Sequence, residues 1–171
     1  MIPFFDTSYT IRRPREAVFE LFSDFSRYLT QLPEFHGARL SAEPGLNGEG
    51  KVWWVDVPGE EYGYRTRVEV IECHAPERFV YEYQYTTRVN PDPLPAGEGP
   101  MPWHRARVVL TFDELEQGTQ VRARMHVFGV TGFFQRWKVS TLKTACARTQ
   151  HNANANMVRI AENLIPSDTE R

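Results

Sequence analysis

Cysteine is scarce in this chain: of 171 residues, only Cys73 and Cys146 carry a thiol. Two cysteines cannot frame a disulfide-held fold, and without a CxxC they offer no redox pair, so both are expected to be reduced and structural. Long apolar runs are missing too. No segment approaches the roughly 20 apolar residues that span a bilayer, and the apolar run in the opening MIPFFDTSYTIRR is too short for a secretory leader. The expected setting is cytoplasmic, with no stable membrane insertion. Neither sign of charge is in surplus: 20 Lys and Arg against 22 Asp and Glu give a net charge of -2. That balance lacks the basic excess with which nucleic-acid binders neutralise phosphate, so no nucleic-acid partner is expected. A nucleotide-binding glycine loop and a GxSxG nucleophile motif are also absent. His36, His74, His104, His126 and His151 fall at no metal-ligand spacing, and the adjacent Cys73 and His74 would point to opposite faces of a strand. No metal and no cofactor is implied.

What is present is apolar and aromatic: 41% hydrophobic residues and 13% aromatic. In a chain of this length that suffices for one well-buried core, and the expectation is a single domain over residues 1 to 171. The stretch FFDTSYTI alternates as a first strand. Pro14 then sits where the first turn of a helix tolerates a missing N–H, and Val18, Leu21, Phe22 and Phe25 recur at helical spacing to give one apolar stripe.

From Arg39 to Val130 the period changes to two. RARVVLTFDEL and TQVRARMHVFGV flank Gln117-Gly118, which reads as a hairpin turn pairing Phe112 with Ala123, Leu110 with Met125, Val108 with Val127 and Asp113 with Arg122. Tyr81, Tyr83 and Tyr85 share an inward phase, as do Tyr64, Thr66, Val68 and Val70; in KVWWVDV the inward set is Trp53, Val55 and Val57. Residues 133 to 165 read as a helix with Val139, Leu142, Cys146, Gln150, Ala153, Met157, Ile160 and Leu164 near one face, and with His151 and Asn154 away from it. At about 1.5 Å per residue this helix reaches about 50 Å, longer than a ten-residue strand of about 33 Å, so it must overhang the sheet or break near its glycine-flanked start.

The stretches IRRPREAVFELFSDFSRYLTQLPEF and TGFFQRWKVSTLKTACARTQHNANANMVRIAENL, in the order strand, helix, strands, long helix, resemble the opening and closing of the START-related, Bet v 1-like superfamily. Leu29 and Gln31 stand where many relatives have Pro and Trp. The resemblance implies an α+β helix-grip fold: a curved antiparallel sheet wrapped around a long C-terminal helix, with an internal cavity. Relatives carry hydrophobic ligands, catalyse cyclisation or dehydration, or act as protein-interaction modules.

In an antiparallel meander alternate turns share one end, so residues 58 to 62, 86 to 103 and 129 to 134 should gather at the cavity mouth. The segment VNPDPLPAGEGPMPWH, rich in proline, reads as a lid hinged at Gly97 and Gly99, with the apolar stretch from Pro100 to Trp103 covering the opening. The expected ligand-lining residues are Tyr64, Tyr83, Tyr85, Trp103, His104, Met125, Val127, Trp137, Cys146 and Gln150, a mainly apolar set with a few hydrogen-bonding groups, as small-molecule pockets usually are. The expected ligand is a small, largely hydrophobic organic molecule, a lipid or an aromatic polyketide. The alternatives are a polyketide cyclase or dehydratase in which Tyr85 and His104 exchange protons at the mouth, and a protein-interaction module with a filled core. On the outward phase, Arg65, Arg67, Arg105, Arg107, Arg122 and Arg124 read as a cross-strand salt-bridge lattice, or as a docking face for an acidic partner.

Overall fold

In the computed structural model the described residues are 1–44, 48–56, 64–87, 92–95 and 98–167. Seven strands form one antiparallel sheet: β1 (Ile2–Ile11), β2 (Arg39–Ala42), β3 (Val52–Asp56), β4 (Tyr64–His74), β5 (Arg78–Thr87), β6 (Arg105–Leu115) and β7 (Gly118–Phe128). Their order across the sheet is β1-β7-β6-β5-β4-β3-β2, so the first strand closes beside the last and every other neighbour is consecutive in sequence. Between β1 and β2 lie α1 (Arg15–Phe22), α2 (Phe25–Tyr28) and two short 3-10 turns, and the chain ends in α3 (Gly132–Leu164). This is the helix-grip arrangement that the sequence layout implies.

The apolar stripe of the first helix is real but its helix is broken. Val18, Leu21, Phe22 and Phe25 are all buried, while α1 stops at Phe22 and Asp24 caps α2 by accepting from the Ser26 amide at 3.0 Å. The break lets the Phe25 ring turn into the sheet, 5.0 Å from that of Tyr81 and 6.1 Å from that of Trp53. Phe19 and Phe22 sit edge-on to Phe112, at 5.4 and 6.0 Å. One face of the sheet thus carries Phe79, Tyr81, Val108, Leu110, Phe112, Val121, Ala123 and Met125 toward the helices. The inward phase of Trp53 and Val55 holds, since Trp53 pairs with Val68 and Val55 with Thr66; Val57 lies outside the described residues.

The β6–β7 hairpin differs from its sequence reading by two residues. Phe112 pairs with Val121, Leu110 with Ala123, Val108 with Met125, Ala106 with Val127 and Asp113 with Gln120. The two turn residues are Glu116 and Gln117, and Gly118 already belongs to the ladder opposite Leu115. Gly118 is needed there for its backbone: its φ is +137°, and a Cβ would collide with the Ile11 carbonyl oxygen. A slip of two preserves facing because the side-chain period is two, so each residue kept its face although each partner was wrong.

α3 runs unbroken for 33 residues, and it overhangs the sheet instead of breaking. Its buried residues are Val139, Ile160 and Ala161, and the first turns carry Phe133, Phe134 and Trp137 into solvent at 78%, 77% and 59% exposure. Two residues depart from expectation. Ala153 is exposed, and Asn154 turns inward, donating to the Thr7 hydroxyl at 2.7 Å while accepting from Gln150 at 2.9 Å. On a 3.6-residue helix seven residues fall about 20° short of two turns and eleven run about 20° past three, so stripes spaced by sevens and by elevens drift in opposite directions. Val139, Cys146, Ala153 and Ile160 are spaced by sevens and Val139, Gln150 and Ala161 by elevens; Val139, Ile160 and Ala161 are buried, so the inward face takes members of both sets, while Ala153 falls outside it.

The two ends of α3 are held differently. At its C-terminus Arg13 donates to the carbonyls of Glu162 and Ile165, both at 2.6 Å, and the Arg12 amide donates to Glu162 at 3.0 Å. A guanidinium here satisfies carbonyls that have no helical partner and sits at the negative end of the helix dipole. At the N-terminus the Gln135 side chain accepts from the Thr131 amide at 2.7 Å.

Candidate functional site

The antiparallel registers bring one set of strand ends together: Tyr64 lies opposite Thr87, Gln84 opposite Arg105, and Arg105 opposite Phe128. The start of α3 follows at the same end. Residues 58 to 62 and the hinge expected at Gly97 lie outside the described residues, as does the side chain of Tyr64.

The described part of the proline-rich loop folds back onto this end. The Leu94 amide donates to the Tyr85 carbonyl at 2.9 Å. The Leu94 carbonyl lies 2.9 Å from His104 Nδ1; since a carbonyl only accepts, Nδ1 carries the proton and Nε2 remains open. The His104 amide donates to the Phe128 carbonyl at 2.9 Å. Gly129 (φ +71°) makes room for this histidine, because a Cβ there would sit 2.6 Å from that of His104. At Gly99 a Cβ would touch Tyr85 at 3.4 Å, so the loop lies directly on that residue.

Between this loop and α3 opens a pocket of about 300 Å³, lined by Gly99, Pro100, Met101 and Pro102 on one side and by Gln135, Trp137, Lys138, Thr141 and Leu142 on the other. The lining is apolar with a polar rim and one ammonium. It sits where the sequence places a mouth.

Further in, the face of the sheet is ringed by phenols. Tyr9, Tyr81 and Tyr83 are half-buried and Tyr28 is 4% exposed. The Tyr83 hydroxyl approaches Met125 Sδ at 3.6 Å, a weak acceptor. Among the described residues the hydroxyls of Tyr9, Tyr28 and Tyr81 have no hydrogen-bond partner, yet none of the three oxygens is sealed off. Burial pushes all four phenols well above their ordinary range, with smaller contributions from neighbouring phenols: Tyr81 acts on Tyr9, Tyr28 and Tyr83. Burial also raises the Cys146 thiol, which lies near enough to act on Tyr83.

The structure gathers some of the expected lining residues and separates others. Tyr83, Met125 and Cys146 meet in the interior; Tyr85 and His104 flank the loop at the mouth. Gln150 faces the sheet but is spent on the chain to Asn154 and Thr7. Trp103 is not a cover: it is 5% exposed and packs edge-on against Phe4 at 5.1 Å, in the bend just before β6. Pro102 is buried beside it. Val127 is fully buried and has no surface to line a space. Trp137 belongs to the outer pocket, on the overhang of α3.

Tyr9, Tyr28 and Asn154 were missed. The phase of β1 could have exposed Tyr9, but a bulge between Pro3 and Phe5 breaks the alternation in its first residues. On the opposite face Arg65 pairs with Asp56 at 3.3 Å, Arg67 with Glu69 at 2.7 Å, Arg105 and Arg107 with Glu82 at 3.0 and 2.6 Å, and Arg122 with Asp6 at 2.6 Å. Four of the six arginines named above are thus paired across strands, Arg67 pairs within β4, and Arg124 has no ion pair among the described residues.

Residues 12–164 match the sequence model of the family described as activator of Hsp90 ATPase homolog 1-like protein, and the chain belongs to that family. Among curated proteins none matches the sequence. Solved structures share the fold at low identity. The di-domain ARO/CYC StfQ from the steffimycin biosynthetic pathway is 12% identical with a TM-score of 0.63, over 95% of this chain and 50% of StfQ. A protein from Staphylococcus epidermidis is 16% identical with a TM-score of 0.62, over 93% of this chain and 88% of its own. Ara h 8.0201 is 12% identical with a TM-score of 0.60, over 93% and 94%.

Proposed function

We propose that this family member binds a small, largely apolar organic molecule between the inner face of the sheet and α3, entering past the loop of residues 98 to 104. The observation that carries this reading is the set of inward phenols. Buried hydroxyls are normally satisfied internally, because an unpaired one costs about 1–3 kcal/mol. Three phenols around one interior whose oxygens stay reachable and have no protein partner among the described residues suit a ligand that brings an apolar body and an oxygen or two of its own. An aromatic polyketide-like molecule or an oxygenated lipid has that chemistry. The likeness to an ARO/CYC structure supports it at the level of fold alone.

The test is native mass spectrometry of the protein as purified, followed by titration with the apolar fluorophore 8-anilinonaphthalene-1-sulfonate. One bound probe per chain is expected, displaced from the interior by Ala123→Trp, which puts an indole on the same inward sheet face as Tyr9, Tyr81 and Tyr83. No bound probe, or a probe unaffected by the substitution, would overturn the reading and favour an interaction module with a filled core.

A second reading is a cyclase or dehydratase with Tyr85 and His104 as the proton carriers. Its support is the hydrogen bond to Leu94, which commits Nδ1 and leaves Nε2 as the basic nitrogen near the opening. If so, His104→Ala and Tyr85→Phe lower turnover of a suitable polyketide far more than they weaken its binding. Equal losses in both would mark a carrier.

A further inference from the structure

Charge is not spread evenly over this near-neutral chain. From residue 117 to residue 161 there is no Asp or Glu, while Arg122, Arg124, Arg136, Lys138, Lys143, Arg148 and Arg159 fall within that span. α3 itself carries five of these basic residues, all exposed, and a single acid, Glu162. The contrast with the sheet is sharp. There Arg65, Arg67, Arg78, Arg105, Arg107 and Arg122 are paired with carboxylates, whereas Arg136, Lys138 and Arg148 have no ion-pair partner among the described residues. Lys143 reaches only the Pro3 carbonyl, at 3.1 Å.

The same helix leaves its largest apolar groups in water. Phe133, Phe134 and Trp137 lie within about one turn, on the side of α3 away from the sheet, and the rings of Phe133 and Phe134 meet edge-on at 6.0 Å. Arg136 and Lys138 flank them. Exposed aromatics rimmed by unpaired cations are what an interfacial helix presents to lipid: rings enter the headgroup boundary while the basic side chains reach anionic headgroups. Half-buried Met101 and exposed Pro100 stand across the pocket from Trp137, so this surface continues into the opening.

We infer that the overhanging N-terminal part of α3 docks on an anionic lipid surface, with Phe133, Phe134 and Trp137 inserted at the headgroup level and Arg136, Lys138 and Arg148 as its electrostatic contacts. Docking this way turns the pocket toward the lipid. It is peripheral binding, since no helix among the described residues is long and apolar enough to cross a membrane. The inference stands whether or not the interior takes a ligand.

The experiment is co-sedimentation of the whole protein with phosphatidylcholine vesicles, with and without about one-third phosphatidylglycerol. Binding is expected only to the anionic vesicles, and should weaken at least tenfold as salt is raised from low to physiological and beyond. Phe133→Ser with Phe134→Ser, and separately Arg136→Glu with Lys138→Glu, should each reduce it by a further tenfold or more, with unchanged circular dichroism because all four side chains are exposed. Trp137 emission should shift to the blue on binding, and Trp137→Phe should abolish that shift. Equal binding to neutral vesicles, no binding to either, or insensitivity to salt would overturn the inference. So would a concentration-dependent dimer abolished by the Phe133→Ser, Phe134→Ser pair without any effect on vesicles, since the aromatic patch would then belong to a second copy of the chain.

Discussion

Raising the pH should unfold this protein sharply, and the interior phenols set where. Tyr9, Tyr28, Tyr81 and Tyr83 are all held protonated well above the ordinary value of 10.0, chiefly by burial. The unfolded chain ionises them at about pH 10; the folded protein does not. Above that value the unfolded state therefore binds fewer protons than the native one, and stability falls as pH rises. The contribution is fully present below pH 10 and drains away through the window between the unfolded and the folded pKa. Each phenol removes about 1.4 kcal/mol per pH unit inside the window, so at about pH 11 the four together remove roughly 5 to 6 kcal/mol. A domain of this size has about 5–15 kcal/mol in all, so the loss is of the same order as the whole. The figure is an upper bound, because half-buried phenols retain some solvent.

Few other groups compete in that range: the lysines are only Lys51, Lys138 and Lys143. The assay is a denaturant titration by circular dichroism at half-unit steps from about pH 8 to 11.5, with phenolate absorbance followed in parallel. Native protein should show these four tyrosines silent until the fold is lost, and Tyr81→Phe should flatten the decline by about one-quarter. Stability unchanged to about pH 11, with all phenols ionising near 10 while the protein stays folded, would refute the reasoning and mean that the space they face is filled with water.

Three further outcomes follow from single contacts. Gly118→Ala should cost more than about 2 kcal/mol and lower Tm by several degrees, since the residue combines a φ of +137° with a collision at the Ile11 carbonyl. Arg13→Ala should destabilise by about 1–3 kcal/mol and speed amide hydrogen exchange over residues 158 to 165, leaving exchange near Val139 unaltered. Phe112→Ala should cost about 3–5 kcal/mol by chemical denaturation, because its ring is 1% exposed and sits between those of Phe19 and Phe22.

Much of this architecture was legible in the sequence because facing depends on parity alone. Phe112, Leu110 and Val108 alternate with Asp113, Thr111 and Val109, and any register that conserves parity sends the first set inward. Register was not legible, because it depends on which residue can adopt a positive φ against β1, a contact more than a hundred residues away. In α3 the sevens and the elevens share Val139 and then drift in opposite directions, and the pattern alone does not say that Gln150 and Asn154 turn inward while Ala153 stays exposed. Val127 reads as a ligand surface from its phase, and Trp103 from the apolar stretch that it ends. Phase says that a side chain points inward and is silent on whether it meets a void or another ring.

The two ends of α3 connect the fold to its proposed work. At the C-terminal end Arg13 and the Arg12 amide fasten the helix to the sheet through three hydrogen bonds, and Ile165 is buried just beyond. At the other end the helix runs past the sheet, and its neighbour is a loop tied down by the Leu94 bonds to Tyr85 and His104. Local opening takes the route that breaks fewest buried contacts, so the mouth end should open before the Arg13 end. Opening by way of the loop breaks the His104–Leu94 bond and parts Met101 from the pocket, while Trp103 stays in the core against Phe4 as the fixed base of the motion. His104→Ala should therefore speed release of a bound apolar probe severalfold while lowering Tm by only a few degrees, measured by stopped-flow fluorescence and a melting curve. Unchanged release would place the entry route elsewhere. A collapse in Tm would show that the histidine holds the fold instead of the loop.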